Sequence, residues 1–348
     1  MKKIITAALA ATLCLTALAG CGGSKDNAAG EVNVYNWGEY IDMDIIADFE
    51  AETGIKVNYT TFETNEQLYA VLKDGGSTYD VIIPSDYMAS RLIEEDMLET
   101  INYDNLSNYD LIDDQYKNLD YDPQGAYTVP YMSGTVGIIY DTTVVTEEVT
   151  SWSVLFDAQY SGQILMFDNS RDAMGIALMY LGYDLNTTEE AELQAAYELL
   201  AEQRPILQAY VMDQIFDKLE SGEAAIGPYY AGDYLTMREN NENLAFVVPD
   251  EGSNWFVDCM CIPKGSANKE NAEAFIDYMC GTDASLANAE AIGYTSPNKE
   301  VADLLDLDDA AREIMYPSDA VLANCEIYKN LPTATLDLYN DLWTKLKA

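Results

Sequence analysis

The feature that most constrains this chain is the alternation of strand-like and helix-like segments near its start. The segment EVNVYNW (31–37) is typical of a strand, and MDIIADFEAETG (43–54) places apolar residues on one helical face before a glycine. The same pair of patterns recurs over 55–76, where Thr64 and Gln67 predict a helix capping box, and a third pair follows. Alternating strands and helices predict an α/β fold whose parallel sheet is covered on both faces.

A second α/β unit is predicted from TVGIIYD (135–141) onward. It contains strand-like segments at 162–168, 244–252 and 254–263, and a long helical pattern at 188–203. Two such units predict two lobes within one chain. In parallel sheets, ligands bind beyond the carboxyl ends of the strands, so the residues that follow the predicted strands are the candidates for a site.

The first 20 residues predict a secretory signal peptide rather than a part of the fold. Lys2 and Lys3 precede an apolar stretch that ends in LAGC (18–21). Small residues before a cysteine resemble the lipobox of bacterial lipoproteins, which implies cleavage before Cys21 and attachment of lipid to it. The alternative is an ordinary secretory signal with a chance cysteine. Residues 21–30 then predict a lipidated tether, and the protein is expected on the outer face of the cytoplasmic membrane, held by lipid alone.

Charge and the absence of histidine exclude several classes of function. The chain has 60 acidic against 18 basic residues and a formal net charge of −42 at pH 7. Such a chain attracts cations and is a poor partner for nucleic acid, although acidity can also serve solubility alone. Without histidine, the Ser-His-Asp and Cys-His nucleophiles and His-bearing zinc sites are ruled out. No metal and no cofactor is expected. The sequence does not decide between disulfides and free thiols for Cys259, Cys261, Cys280 and Cys325.

Aromatic and acidic residues recur together at the predicted strand ends. The combinations are Trp37–Glu39–Tyr40, Asp86–Tyr87, Asp168–Asp172, Tyr229–Tyr230–Asp233 and Trp255–Phe256–Asp258. An ammonium group that leaves water needs carboxylates for hydrogen bonds and ring faces for cation–π attraction of about 0.5–2 kcal/mol. The pattern therefore predicts a slot for a linear di- or polycation. Structural alternatives are a core position for Trp37 and helix N-caps at Asp86, Asp168 and Asp233.

Six motifs occur in order along the chain. They are YNWGEY, DVIIPSDYM, VTSWSVLFDAQYSGQILMFDNSRDAMGIAL, GEAAIGPYYAGDY, WFVDCMCIP and AIGYTSPN. The motifs, in this order, resemble those of the spermidine/putrescine-binding proteins of bacterial ABC importers. The resemblance runs in register from about Val32 to the carboxyl end. The resemblance implies a two-lobed periplasmic-binding-protein fold of type II, whose lobes close on a ligand. It also implies lobes of 31–133 plus 259–304 and of 134–258 plus 305–348.

The same resemblance implies a function and a set of site residues. The protein would be a substrate-binding lipoprotein that captures a polyamine, putrescine and/or spermidine, and delivers it to the permease subunits of an ABC importer. The implied ligand-binding residues are Trp37, Glu39, Tyr40, Ser85, Tyr87, Asn169, Asp172, Tyr230, Asp233, Phe256, Asp258 and Lys329. Among them, rings would line the carbon chain and carboxylates would meet the amines.

Several departures from the family pattern bear on the preferred ligand. Asn169 stands where the spermidine binders have Asp, and Asp233 matches an Asp of the putrescine-preferring members. Lys329 stands where the spermidine binders have Gln and would oppose a third amine. Asp172 replaces a Glu, and Tyr230 replaces a Trp. The first three departures favour a diamine such as putrescine.

Other functions are open from the sequence. The same fold could bind another small solute, a sugar above all, since sugar sites also use rings and acids, or it could serve as a ligand sensor. A glycosidase would use two carboxylates, but the resemblance is to proteins that are not enzymes. Tyr229 and Tyr230 suggest the paired tyrosines of iron binders, yet neighbours on a strand are expected on opposite faces.

Overall fold

The fold is described from a computed structural model, in which residues 30–75 and 78–348 are described. The predicted signal peptide, nearly all of the tether and the predicted lipidation site Cys21 lie outside the described residues. Within the described ranges, no helix combines the length and the apolar character needed to cross a membrane.

The amino-terminal part is a parallel sheet with connecting helices, as the alternating patterns predict. Its elements are β1 (Glu31–Trp37), α1 (Met43–Thr53), β2 (Lys56–Phe62), α2 (Asn65–Lys73), β3 (Val81–Ile82) and α3 (Asp86–Glu94). β1 pairs in parallel with both β2 and β3. Gly54 ends α1 in the left-handed conformation, and the Thr64 hydroxyl accepts a hydrogen bond from the Gln67 backbone N–H at the start of α2. These predicted helix ends are therefore confirmed.

The middle of the chain forms a mixed sheet with its own helices. The strands are β4 (Thr128–Asp141), β5 (Ile164–Phe167), β6 (Leu207–Val211), β7 (Ile226–Tyr230), β8 (Leu244–Val247) and β9 (Ser253–Cys261). The helices are α4 (Ser170–Tyr180), α5 (Glu190–Gln203), α6 (Ile215–Glu220) and α7 (Ala231–Asn240). β5 pairs in parallel with β6 and β7, whereas β4 pairs antiparallel with β7 and β8. Short 3₁₀ helices lie at Tyr103–Asn105, Tyr109–Leu111, Asp114–Tyr116, Trp152–Phe156 and Ala158–Tyr160.

The carboxyl-terminal segments return to both parts of the molecule. They are α8 (Lys269–Cys280), α9 (Thr282–Ile292), α10 (Val301–Leu304), α11 (Asp309–Met315), α12 (Asp319–Leu322), β10 (Cys325–Glu326) and α13 (Thr333–Lys347). α8 packs against β1, while α13 packs against α4 and α5. The sequence left open whether the cysteines form disulfides or are free thiols. In the structure all four described cysteines are free thiols; they are Cys259, Cys261, Cys280 and Cys325.

Two long antiparallel strands, β4 and β9, join the two parts. β9 pairs with β3 at its carboxyl end, through Ile82 and Cys261, and β4 continues past β9 to pair with β7 and β8. The strand order is β2-β1-β3-β9-β4-β7-β5-β6, with β8 beside β4 and β10 beside β9. The β4–β9 register shifts between Pro130 and Met132. Two predicted lobe boundaries, 133/134 and 258/259, fall inside these strands, and the lobe boundaries stay a prediction.

A buried carboxylate ties the first sheet to the loop before α8. Asp80 Oδ2 accepts hydrogen bonds from the backbone N–H and the side chain of Asn33, at 2.9 and 2.8 Å, and from Asn268 Nδ2 at 3.1 Å. Its Oδ1 accepts from Ser266 Oγ at 2.7 Å and from the Asn268 backbone N–H at 3.3 Å. One side chain therefore satisfies five donors on two segments that are far apart in sequence.

We expect Asp80→Asn to lower the free energy of unfolding by about 2–4 kcal/mol, because an amide nitrogen would then face hydrogen-bond donors in place of an acceptor oxygen. Denaturant unfolding followed by circular dichroism measures the change. The control is Asp48→Asn on the exposed face of α1, expected within about 0.5 kcal/mol of the unsubstituted protein. Equal effects of the two substitutions would contradict this role of Asp80.

Candidate functional site

The predicted site residues converge on one cleft. Eleven of the twelve line it, and they come from the carboxyl ends of β1, β5 and β7, from the start of α3 and from β9. The eleven are Trp37, Glu39, Tyr40, Ser85, Tyr87, Asn169, Asp172, Tyr230, Asp233, Phe256 and Asp258. The structure thus brings together residues that the chain separates by more than 200 positions.

The twelfth predicted residue, Lys329, does not line the cleft. Its side chain is exposed, its backbone N–H donates to Asn186 Oδ1 at 2.7 Å, and its carbonyl accepts from Arg171 Nη2 at 3.3 Å. Tyr328, one residue earlier, faces the cleft instead. Among the described residues that line the cleft, Arg171 is the only cationic side chain. The positive charge predicted near the end of the cleft therefore comes from Arg171 rather than from Lys329.

Aromatic rings hold one another in place around the cleft. The Tyr40 and Tyr294 rings meet edge to face at 4.8 Å, and Tyr230 and Phe256 do so at 5.5 Å. Such pairs contribute about 0.5–1.5 kcal/mol beyond their buried area, which fixes the ring positions before any ligand arrives. Trp37 is half-buried and packs on a core phenylalanine, and it also lines the cleft. It is therefore both a packing residue of the core and part of the cleft wall.

The turn after β1 touches the opposite wall of the cleft. A Cβ atom on Gly38 would lie 2.5 Å from Asp213 Oδ2, which is closer than real contacts allow. A glycine, which has no side chain, permits this close approach of Asp213 to the backbone. Glu39, the next residue, is exposed and has a left-handed backbone with φ 43°, an uncommon conformation for a side chain of this size.

Asp258 is a buried acidic residue of the cleft, and one of its oxygens has no hydrogen bond. It is 5% exposed, and its Oδ1 is buried without a hydrogen-bond partner among the described residues. The Tyr40 hydroxyl and Trp37 Nε1, which also line the cleft, are likewise buried and unpartnered. Burial raises the pKa of Asp258 to about 7; the Ser85 and Tyr40 side chains beside the carboxyl group lower this pKa, and the negative charge of Asp172 raises it. A cationic donor in the cleft would satisfy this oxygen.

A second carboxylate, Asp86, lies behind Asp258. It is fully buried, and it accepts hydrogen bonds from the Val257 backbone N–H at 3.1 Å and from that of Tyr87 at 2.6 Å. Burial raises its pKa to about 8, with a further contribution from Asp258. Asp86 is the first residue of α3, and Ser85 occupies the N-cap position, so the N-cap reading of Asp86 is wrong.

The N-cap readings of two further acids are wrong as well. Asn169 caps α4, where its Oδ1 accepts from the Asp172 backbone N–H at 2.8 Å, whereas Asp168 pairs with Lys347. Asp233 lies within the first turn of α7, and its Oδ2 accepts from the Tyr294 hydroxyl at 2.9 Å. Burial raises the pKa of Asp172 and, more strongly, that of Asp233.

The expectation that Tyr229 and Tyr230 point to opposite faces is also wrong. Both line the cleft, with ring centroids 5.0 Å apart, because β7 ends at Tyr230 and the chain turns there into α7. Their hydroxyl groups lie 3.2 Å from Asp213 Oδ1 and 2.8 Å from Asp172 Oδ2. Within the described ranges, no group of three or more Cys, Asp or Glu residues could hold a metal ion.

Sequence reasoning missed several residues that line the cleft. Glu66 lies in the first turn of α2 and accepts from the Tyr87 hydroxyl at 3.1 Å. The Arg171 guanidinium lies 5.2 Å from the Tyr87 ring and 4.6 Å from the Tyr328 ring. The rule that ligands bind beyond the carboxyl ends of strands could have suggested Glu66. The motif AIGYTSPN contains Tyr294, another residue that lines the cleft.

Fold and cleft together define a solute-binding protein, and comparisons with known proteins agree. Residues 44–314 match the family model for bacterial extracellular solute-binding proteins. The spermidine/putrescine-binding periplasmic protein of Escherichia coli is 34% identical over 318 residues, 90% of each chain. The chain belongs to this family of extracellular solute-binding proteins, which confirms the predicted family and α/β fold.

Two solved structures show the same fold. A protein of Listeria monocytogenes, described as a spermidine/putrescine ABC transporter, is 38% identical with a TM-score of 0.88, covering 91% of this chain and 98% of its own. The Tp0655 (TpPotD) lipoprotein of Treponema pallidum is 27% identical with a TM-score of 0.82, covering 91% and 99%. By name, the E. coli relative is a periplasmic binding protein and the L. monocytogenes relative belongs to an ABC transporter.

We expect the ligand-free protein to lose stability as pH rises from about 5 to about 8. In the unfolded chain an Asp has a pKa of about 3.9, whereas burial raises the pKa of Asp258 to about 7 and that of Asp86 to about 8. Between these values the folded state binds more protons than the unfolded state, so the free energy of unfolding falls as pH rises. Thermal unfolding of dialysed protein at pH 5, 6.5 and 8 measures it.

Asp86→Asn is the matched variant for this pH dependence. It removes one of the buried carboxyl groups with a raised pKa, so its melting temperature is expected to fall less steeply between pH 6.5 and 8 than that of the unsubstituted protein. A ligand-free protein that is equally stable or more stable at pH 8 than at pH 5 would contradict the prediction.

Proposed function

We propose that this protein captures a polyamine outside the cytoplasm and delivers it to the permease subunits of an ABC importer. The single observation that carries the proposal is the buried, unpartnered Oδ1 of Asp258 in an acidic, ring-lined cleft. The names of the relatives supply the ligand class, since they refer to spermidine and putrescine.

The charge of the cleft favours a cation over an anion or a neutral sugar. Glu39, Asp172, Asp233 and Asp258 line it, against Arg171 as the one cationic side chain among the described lining residues. A buried carboxylate without a compensating charge costs several kcal/mol, and an ammonium group offsets this cost where a sugar hydroxyl does not. A ligand with an ammonium at each end and methylenes between them suits a slot with rings along its sides.

We further propose a diamine such as putrescine as the preferred ligand. The Asn169 side chain is already engaged at both ends, since Nδ2 donates to Asp172 Oδ2 at 2.8 Å and Oδ1 accepts from the Asp172 backbone N–H. It therefore offers no anionic acceptor for a third amine. Arg171, rather than the exposed Lys329, would oppose a third positive charge in the cleft.

The proposal needs no chemical step. Capture and release break no covalent bond, so the carboxylates act as acceptors rather than as catalysts, and no cofactor takes part. The predicted lobes, 31–133 plus 259–304 and 134–258 plus 305–348, would close on the ligand, with β4 and β9 as the connecting hinge strands.

We expect Asp258→Asn to weaken putrescine binding at least about 30-fold, because the ammonium group loses its buried ionic acceptor. Calorimetric titration of soluble protein begun at Gly22, with putrescine, spermidine, spermine and a panel of sugars, measures it. The control is Asp44→Asn on the exposed side of α1, expected to change affinity by less than about twofold. Equal losses in both variants, or heat from a sugar and none from any amine, would refute the proposal.

We propose that the chain is anchored through lipid on Cys21, since the T. pallidum relative is called a lipoprotein and the sequence carries a lipobox-like segment. Cys21→Ala should move the full-length protein from the membrane fraction to the soluble fraction, as seen by detergent phase partition of expressing cells. The control Cys325→Ala, which alters a cysteine of the folded part, should stay with the membrane. Membrane retention of Cys21→Ala would contradict the anchor.

A further inference from the structure

We propose that Asn169 and Tyr230 are positioning residues, which hold one oxygen of Asp172 so that its other oxygen is presented to an amine of the ligand. The inference rests on the proposed polyamine function and goes beyond it, since it assigns the Tyr230 hydroxyl a role separate from that of its ring.

Two donors from different elements meet the same oxygen of Asp172. The Tyr230 hydroxyl donates to Asp172 Oδ2 at 2.8 Å, and Asn169 Nδ2 donates to that oxygen at 2.8 Å. Asn169 caps α4 after β5, whereas Tyr230 ends β7, so the carboxylate is held from two sides. Asp172 is itself 7% exposed and lines the cleft. A short side chain fixed in this way has little freedom left to rotate.

The remaining oxygen is left for the ligand. A nearby third hydroxyl, that of Tyr328, gives its single proton to the Arg171 carbonyl at 2.9 Å and so cannot also donate to Asp172. Both measured donors end on Oδ2, which leaves Oδ1 as the acceptor for an incoming ammonium. The Tyr230 ring is itself held edge to face against Phe256, so the direction of its hydroxyl is set by packing.

On this proposal, the two ends of a diamine meet different carboxylates. Asp258 Oδ1 is buried and unpartnered, so it attracts the first ammonium, and Asp172 attracts the second. A ligand with one ammonium and a neutral hydroxyl at the other end would engage Asp258 without drawing on the charge of Asp172. The effect of the Tyr230 hydroxyl should therefore depend on the second charge of the ligand.

The test is calorimetric titration of Tyr230→Phe, which keeps the ring and removes the hydroxyl. We expect affinity for 1,4-diaminobutane to fall about tenfold, because a hydrogen bond to a charged group is lost. Affinity for 4-amino-1-butanol, measured by competition, should change by less than about twofold. In an Asp172→Asn background, Tyr230→Phe should add less than about twofold for either ligand, because the group that it positions has lost its charge.

The control is Tyr183→Phe, at a tyrosine that is 37% exposed and lies outside the cleft lining; it should bind both ligands as the unsubstituted protein does. Equal losses for the two ligands in Tyr230→Phe, or an undiminished effect in the Asp172→Asn background, would overturn the positioning role while the polyamine function stands. Failure of the unsubstituted protein to bind any amine would overturn both.

Discussion

The burial of carboxylates in the cleft is the constraint on which the rest of the site depends. Asp86, Asp172 and Asp233 each have protein donors, whereas Asp258 Oδ1 has none among the described residues. Removing an ion from water is costly unless hydrogen bonds or an opposite charge replace the solvent. Arg171 is one cation against several acids, so the cleft carries a negative charge that a cationic ligand would compensate. Ring packing and the raised pKa values follow from the same burial.

The cleft exists because two strands cross between the two parts of the molecule. β4 and β9 carry the chain from the parallel sheet of β1–β3 to the sheet of β5–β7, and the walls then touch directly. Gly38 meets Asp213, and the Tyr294 hydroxyl bonds Asp233. A ligand held between such walls favours the arrangement in which both contact it, which is how binding energy would be converted into closure.

The rule that ligands bind beyond the strand ends predicted many of the residues that line the cleft, and it failed where the backbone direction changes. Trp37 and Asp258 were found from strand patterns and motifs, and both line the cleft. Tyr229 was placed away from Tyr230 because strict alternation was assumed through the last residue of β7, where the strand in fact gives way to a helix. In the carboxyl-terminal segment, the predicted site residue was one position away from the cleft. The predicted Lys329 is exposed, whereas its neighbour Tyr328 is buried.

The sequence by itself determined the α/β class, the helix ends at Gly54 and Thr64, the acidic character and the family, because these depend on local periodicity, capping and motif order. Only the tertiary structure decided which oxygen of Asp172 is occupied, that Asp80 joins five donors, and that Arg171 is the cation in the cleft. The physical reason is that periodicity sets the direction of a side chain within one element, whereas contacts between elements depend on how β4 and β9 cross.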